Sequence, residues 1–183
     1  FIERTIYEKF KVDFVKETQQ LIVGDPKMKE TNQGALVSKE HHEKVLSYIE
    51  LAKKEGGKII CGGNSLDLSK KGLGGWFLEP TIIEGLKHNC RTNQEEIFGP
   101  VVTIMPFDTE DEVLQYANST QYGLASTIWT ENLSRAHRLA DNILAGIVWV
   151  NTWLLRDLRT PFGGVKNSAD GRVGGLEVLD LFT

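Results

Sequence analysis

VVTIMPFDTEDEVLQYANSTQYGLASTIWTENLSRAHRLADNILAGIVWV, residues 101–150, switches between two hydrophobic periods. Residues 101–107 form a near-continuous apolar run, the pattern of a buried strand. Asp108 or Thr109 then stands as an N-cap before Val113, Leu114 and Ala117, which share one helical face. Gly123 precedes a second strand over 125–129. A helix over 131–144 follows, with Leu133, Ala136, Leu139, Ala140 and Ile143 turned inward. Gly146 ends it, and residues 147–150 form a third strand. Strands that alternate with helices in this way predict βαβ crossovers. The expected fold class is therefore α/β, a mainly parallel sheet flanked by helices.

The flanks agree. Phe1-Ile2-Glu3 reads as the end of a strand running into a helix. Ile6, Phe10, Phe14, Leu21 and Ile22 then recur at near-helical spacing over 5–23, with Thr5 as N-cap and Gly24-Asp25-Pro26 as stop. After a loop, Ser38 caps a second helix that carries Val45, Tyr48, Ile49 and Ala52 on one face and ends at Gly56-Gly57. Residues 58–61 form a short strand, 64–75 a polar, Gly-rich surface loop, and 76–83 a strand interrupted by Pro80. Beyond Asn151 the chain turns irregular as far as Gly174-Gly175. So long a loop inside a compact domain is more often functional than not.

With 183 residues the chain is long enough for one domain with a sizeable core. A net charge of −4 gives no basic footprint, which argues against a nucleic-acid partner. No apolar stretch is long enough to span a bilayer, so no membrane association is expected. Two cysteines, Cys61 and Cys90, are too few for a disulfide framework. A reducing compartment, the cytoplasm, is the expected location. The first residue is Phe1, so any targeting segment would lie upstream of the residues read here.

Two segments can carry chemistry. In Gln94-Glu95-Glu96-Ile97-Phe98-Gly99-Pro100, a carboxylate at a strand entrance can accept hydrogen bonds from paired sugar hydroxyls, and an aromatic ring can pack against a flat heterocycle. The alternative is a solvated acidic loop over a core phenylalanine. In Asn151-Thr152-Trp153-Leu154-Leu155-Arg156-Asp157-Leu158-Arg159-Thr160, an arginine can clamp an anionic ligand bidentately. The alternative is a surface pair between Arg156 or Arg159 and Asp157 or a neighbouring carboxylate. Other signals are weak. Gly72-Leu73-Gly74-Gly75 lacks the strand-to-helix placement of a dinucleotide fingerprint. His41 and His42 are neighbours on a helix and point apart, so no metal site is expected. Cys61 reads as a buried structural thiol. Cys90 lies beside His88 and Arg91, which would lower its pKa, but no base is placed to orient it.

Glu95-Glu96-Ile97-Phe98-Gly99-Pro100 resembles the E-E-I-F-G-P motif of the NAD(P)-dependent aldehyde dehydrogenase superfamily. Tyr122-Gly123-Leu124-Ala125, Gly146-Ile147-Val148-Trp149-Val150-Asn151 and Pro161-Phe162-Gly163-Gly164-Val165-Lys166 resemble three further motifs of that family, in order. Residues 153–162 are similar to those of the muconic semialdehyde dehydrogenases. The resemblance covers essentially the whole chain and implies the C-terminal portion of the catalytic domain, incomplete, as a single domain over 1–183. It implies oxidation of a carboxylate-bearing semialdehyde to the acid, with NAD favoured over NADP. Glu96 is implied to bind the nicotinamide-ribose hydroxyls and Phe98 to pack on the nicotinamide. Arg156 is implied to bind the substrate carboxylate and Phe162 to wall the aldehyde tunnel, with Arg159 a second contact or a loop-holding residue. These four residues are expected near one cleft. Expected partners are the aldehyde, the rest of the enzyme chain and, at full length, further copies in a homo-oligomer.

The family's nucleophilic cysteine falls before Phe1, and neither Cys61 nor Cys90 matches it. No catalytic residue is therefore assigned, and the chain alone is expected to be inactive. Ser168-Ala169-Asp170-Gly171-Arg172-Val173 departs from the family's S-G-x-G-R-E. That departure matters if Ala169 needs positive φ or if Val173 replaces an acid that held a neighbouring base. The family also continues past residue 183 into a strand used in assembly. The competing expectations are a general or betaine-type aldehyde dehydrogenase and a non-catalytic module that keeps the fold.

Overall fold

The structure, a computed structural model, describes residues 1–176, 178, 179 and 183. It comprises two compact units, Phe1–Asp108 and Thr109–Thr183. In chain order the first unit contains β1 (Ile2–Glu3), α1 (Arg4–Gln19), α2 (Lys39–Lys54), β2 (Lys58–Cys61), β3 (Ser65–Leu66), β4 (Phe77–Leu78), β5 (Thr81–Glu84), α3 (Arg91–Gln94), β6 (Val101–Ile104) and β7 (Pro106–Phe107).

Its organising strand is β5. Side chains alternate across a strand, so Ile82 and Ile83, both fully buried, face opposite ways. Ile82 meets Tyr7 of α1, together with Ile2 and Ile104. Ile83 meets Ala52 of α2 and Leu86. Helices thus cover both faces of the sheet β2-β5-β6, in which β5–β6 is parallel and β2–β5 antiparallel. Val45 and Ile49 of α2 close on Leu78 in a third cluster. Each such aliphatic side chain contributes roughly 1.5–3 kcal/mol by leaving water. Ser38 caps α2, accepting a hydrogen bond from the His41 amide at 3.2 Å.

Several expectations change here. Thr5, expected as the N-cap, lies inside the first helix, which starts at Arg4 with Glu3 at the cap position. The first helix ends at Gln19, not Val23, because the following residues are captured elsewhere. The Ile22 amide donates to the Asn32 side chain at 2.8 Å, and Val23 bridges Gln33. The run over 101–107 breaks at Met105 into β6 and β7, and β7 pairs in parallel with β1. As the outer strand of its sheet, β6 buries Ile104 but leaves Val102 41% exposed, so it is not the fully buried strand its composition suggests.

The second unit contains α4 (Glu110–Asn118), β8 (Tyr122–Gly123), β9 (Ala125–Ile128), α5 (Leu133–Asn142), β10 (Ile147–Val150) and β11 (Val165–Lys166). The expected crossover is present: β9 and β10 pair in parallel, Ala125↔Ile147 through Ile128↔Val150, with α5 between them in sequence. β8 and β11 pair antiparallel. Thr109 is the cap of α4, its hydroxyl accepting from the Glu112 amide. Asn132, accepting from the Arg135 amide, starts α5 late. Ala136 and Leu139 are buried, whereas Leu133, expected inward, is exposed. Glu110 binds Arg135 and Arg138 and so ties α4 to α5.

Candidate functional site

Residues 95–99 follow α3 and alternate inward and outward. Glu95 turns in: its carboxylate accepts from Arg91 Nε at 2.6 Å and from the Tyr48 hydroxyl at 2.6 Å. Those bonds, Arg91 first and Tyr48 next, hold its pKa down at about 2. Glu96 turns out, exposed, with a carboxylate that makes no hydrogen bond or ion pair among the described residues; its carbonyl accepts from Lys44 Nζ at 3.0 Å. Ile97 packs onto the Val45, Ile49 and Leu78 cluster. Phe98 turns out again, 73% exposed, with φ at +59°.

That conformation costs a residue with a Cβ roughly 1–2 kcal/mol. The loop seats itself by close approach at Gly99, where a Cβ would stand 2.7 Å from Val45 Cγ2. Of the alternative, a solvated acidic loop over a core phenylalanine, the first part is seen, since Glu96 is exposed, and the second is not: the residue packed on the core is Ile97, and Phe98 is displayed. Strain together with an exposed aromatic is the pattern of a ligand-presenting loop. A free carboxylate offers lone pairs to a vicinal diol, and an open ring face suits a flat heterocycle, so these residues fit a nicotinamide riboside.

Arg156 and Phe162 belong to the second unit. Trp149, buried on β10, donates from its indole Nε1 to the Leu155 carbonyl at 2.8 Å and meets the Trp153 ring edge-on at 5.2 Å. Asn151 fixes the loop's start: its side chain accepts from the Thr130 amide and donates to the Thr130 carbonyl, both at 2.9 Å. The two arginines then divide. Arg159 is neutralised by Asp157, to which its Nε donates at 2.9 Å, and it holds the loop. Arg156 makes no hydrogen bond or ion pair among the described residues. Its guanidinium carbon lies 4.3 Å from the centre of the Phe162 ring. An exposed guanidinium with its donors unspent, lying over an aromatic face, is ready for a carboxylate.

Phe162 is itself held by main chain. Its amide donates to the Val173 carbonyl at 2.7 Å, and the Val173 amide donates back at 2.8 Å. Any residue but proline at 173 can make those bonds. Ala169 lies outside the left-handed region, so the loss of glycine there brings no strain. Arg172, the base beside the missing acid, donates to the Gly164 and Gly171 carbonyls. The departures at 169–173 therefore leave the Phe162 scaffold intact. Gly146 is required by close packing: a Cβ there would stand 1.8 Å from the Gly163 carbonyl oxygen.

Neither thiol is activated. Burial pushes both Cys61 and Cys90 up, and at Cys90 the Glu55 carboxylate adds to that effect. The expected lowering at Cys90 does not occur, because Arg91 is spent on Glu95.

Sequence reasoning missed His41, Lys44, Tyr48 and Trp149 as residues that hold the two loops. The spacing of the first three, i, i+3 and i+7 along one side of a helix, was the available signal.

The aldehyde dehydrogenase family profile matches residues 1–183. The chain is 46% identical over 185 residues to the 2-aminomuconic semialdehyde dehydrogenase of Danio rerio, covering 100% of this chain and 38% of that protein. It is 47% identical over 183 residues to the 2-hydroxymuconic semialdehyde dehydrogenase of Pseudomonas sp. (strain CF600), again covering 100% and 38%. A solved structure of the Bacillus cereus aldehyde dehydrogenase in complex with NAD+ superposes with a TM-score of 0.92 at 40% identity, covering 98% of this chain and 36% of that one. The chain thus spans little more than a third of the length of these relatives. With the family profile matched from end to end, the chain belongs to the aldehyde dehydrogenase family.

Proposed function

We propose that this chain is the part of an NAD(P)-dependent aldehyde dehydrogenase that positions the nicotinamide and selects a carboxylate-bearing semialdehyde for oxidation to the acid. The observation that carries the substrate class is the division of labour between Arg156, free and lying over Phe162, and Arg159, neutralised by Asp157. The muconic semialdehydes named for the relatives carry such a carboxylate.

Bound nicotinamide supplies the hydride acceptor. Glu96 accepts hydrogen bonds from the ribose hydroxyls, and Phe98 packs against the ring to fix its angle. Arg156 binds the substrate carboxylate through paired N–H donors, and Phe162 walls the aldehyde's path. The work of these groups is orientation, which lowers the barrier by removing misaligned encounters. Neither Cys61 nor Cys90 matches the family's nucleophilic cysteine, and burial pushes both toward the protonated form, so we assign the attacking thiolate to the remainder of the full-length protein. The NAD+ complex among the structural neighbours supports a nicotinamide dinucleotide as the cofactor, and NAD is our reading of the two.

A betaine-type enzyme would set Arg156 against a cationic substrate. The test is nicotinamide reduction by a full-length protein carrying this chain, with 2-hydroxymuconic semialdehyde against betaine aldehyde. The acidic substrate should be preferred in kcat/KM by at least about tenfold, the lower range for a charged hydrogen bond. Equal or reversed preference would overturn the reading.

A further inference from the structure

We infer that His41 is a positioning residue for the nicotinamide contact, and that with Lys44 and Tyr48 it makes one side of α2 a clasp for the loop at residues 95–99. The inference rests on the reading of Glu96 and Phe98 given above.

Residues 41, 44 and 48 stand at i, i+3 and i+7, along one helical stripe. Each takes a different residue of the loop. His41 Nε2 donates to the Phe98 carbonyl at 2.5 Å, Lys44 Nζ to the Glu96 carbonyl at 3.0 Å, and the Tyr48 hydroxyl to Glu95 Oε2 at 2.6 Å. A carbonyl only accepts, so Nε2 of His41 carries a proton. The same ring sits edge-on to the Phe98 ring, with centroids 5.9 Å apart and planes at 72°. Phe98 is thus held at its carbonyl and at its ring. Ser38 fixes the other end of the contact by capping the amide of His41.

The restraint has work to do because Phe98 is strained. At φ +59° the residue would relax toward negative φ if released, and its ring would swing with the backbone. Both residues assigned to the cofactor, Glu96 and Phe98, are tied by their carbonyls, while the Glu96 carboxylate stays free and the Phe98 ring stays exposed. Fixed backbone with available side chains is what a precise contact to a flat ring needs.

The experiment uses the full-length protein carrying this chain. His41→Leu removes the donor and His41→Gln keeps one. His41→Leu should raise KM for the nicotinamide dinucleotide about fivefold or more, the effect of one lost hydrogen bond, and should lower kcat. KM for the aldehyde should stay within about twofold and the melting temperature within about 4 °C. His41→Gln should recover most of the loss. Unchanged nicotinamide kinetics in His41→Leu, an equal loss in His41→Gln, or a matching rise in aldehyde KM would overturn the inference. Phe98→Ala and Glu96→Gln are measured alongside. If both leave the nicotinamide KM unchanged, the reading of the loop falls and this inference with it. If they raise it and His41→Leu does not, the inference alone falls.

Discussion

Phe98→Gly separates display from packing. The ring is 73% exposed, so about a quarter of its surface is buried. A phenylalanine offers roughly 200 Å² for burial, so about 50 Å² returns to water on its removal, worth about 1.3 kcal/mol at about 25 cal/mol per Å². Against that stands release of the left-handed strain, roughly 1–2 kcal/mol. Glycine's greater freedom in the unfolded chain takes back about 0.5–1 kcal/mol. The terms nearly cancel, and stability should stay within about 1 kcal/mol of the parent, or roughly 2–4 °C in melting temperature at this size. Truncating a core phenylalanine instead costs about 3–5 kcal/mol. The bond from the His41 ring to the carbonyl of residue 98 survives the substitution. Hydride transfer in the full-length protein should nonetheless fall about 100-fold, the scale of a misplaced reactant. The assay is urea or thermal denaturation read beside single-turnover nicotinamide reduction. A loss above about 2.5 kcal/mol would show that the ring is core packing after all. Normal turnover would show that it presents nothing.

Two further outcomes follow from the same contacts. Gly146→Ala drives a Cβ against the Gly163 carbonyl oxygen, a main-chain atom, and should lower stability by about 1–3 kcal/mol, read as a shift in urea midpoint; an unchanged midpoint contradicts the close approach. Glu95 has a folded pKa of about 2 against an ordinary 4.5, so its contribution is fully present above the ordinary value and is lost as pH falls through the folded one. Glu95→Gln should flatten the acid-denaturation limb between those values, Tyr48→Phe should do so in part, and an acid limb identical to the parent's in Glu95→Gln would contradict the assignment.

The sequence shows the fold where local signals and packing agree. Residues 147–150 are a strand in both, and Ser38 caps its helix as its chemistry suggests. Residues 101–107 mislead because an apolar run does not say which strand ends up at the edge of a sheet. The site residues were legible as motifs, but their individual duties were not. Nothing local tells Glu95 from Glu96; the distinction comes from Arg91 and Tyr48, the latter 47 residues away in sequence. The same holds for Arg156 and Arg159, which differ only once Asp157 has chosen its partner. Phe98 reads as core by residue type and is exposed because Ile97 takes the inward position against Val45. His41 shares a helical stripe with Lys44 and Tyr48, but that spacing does not say what the stripe holds until the loop is in place.

The most direct test of substrate selection is Arg156→Ala in the full-length protein, assayed on an acidic semialdehyde and on a neutral aldehyde of similar length. Losing a charge-assisted pair removes about 1.5–3 kcal/mol, so kcat/KM for the acidic substrate should fall about 10- to 150-fold while the neutral one stays within about twofold. Equal falls on both substrates, or none on either, would contradict the assignment of Arg156 to the carboxylate.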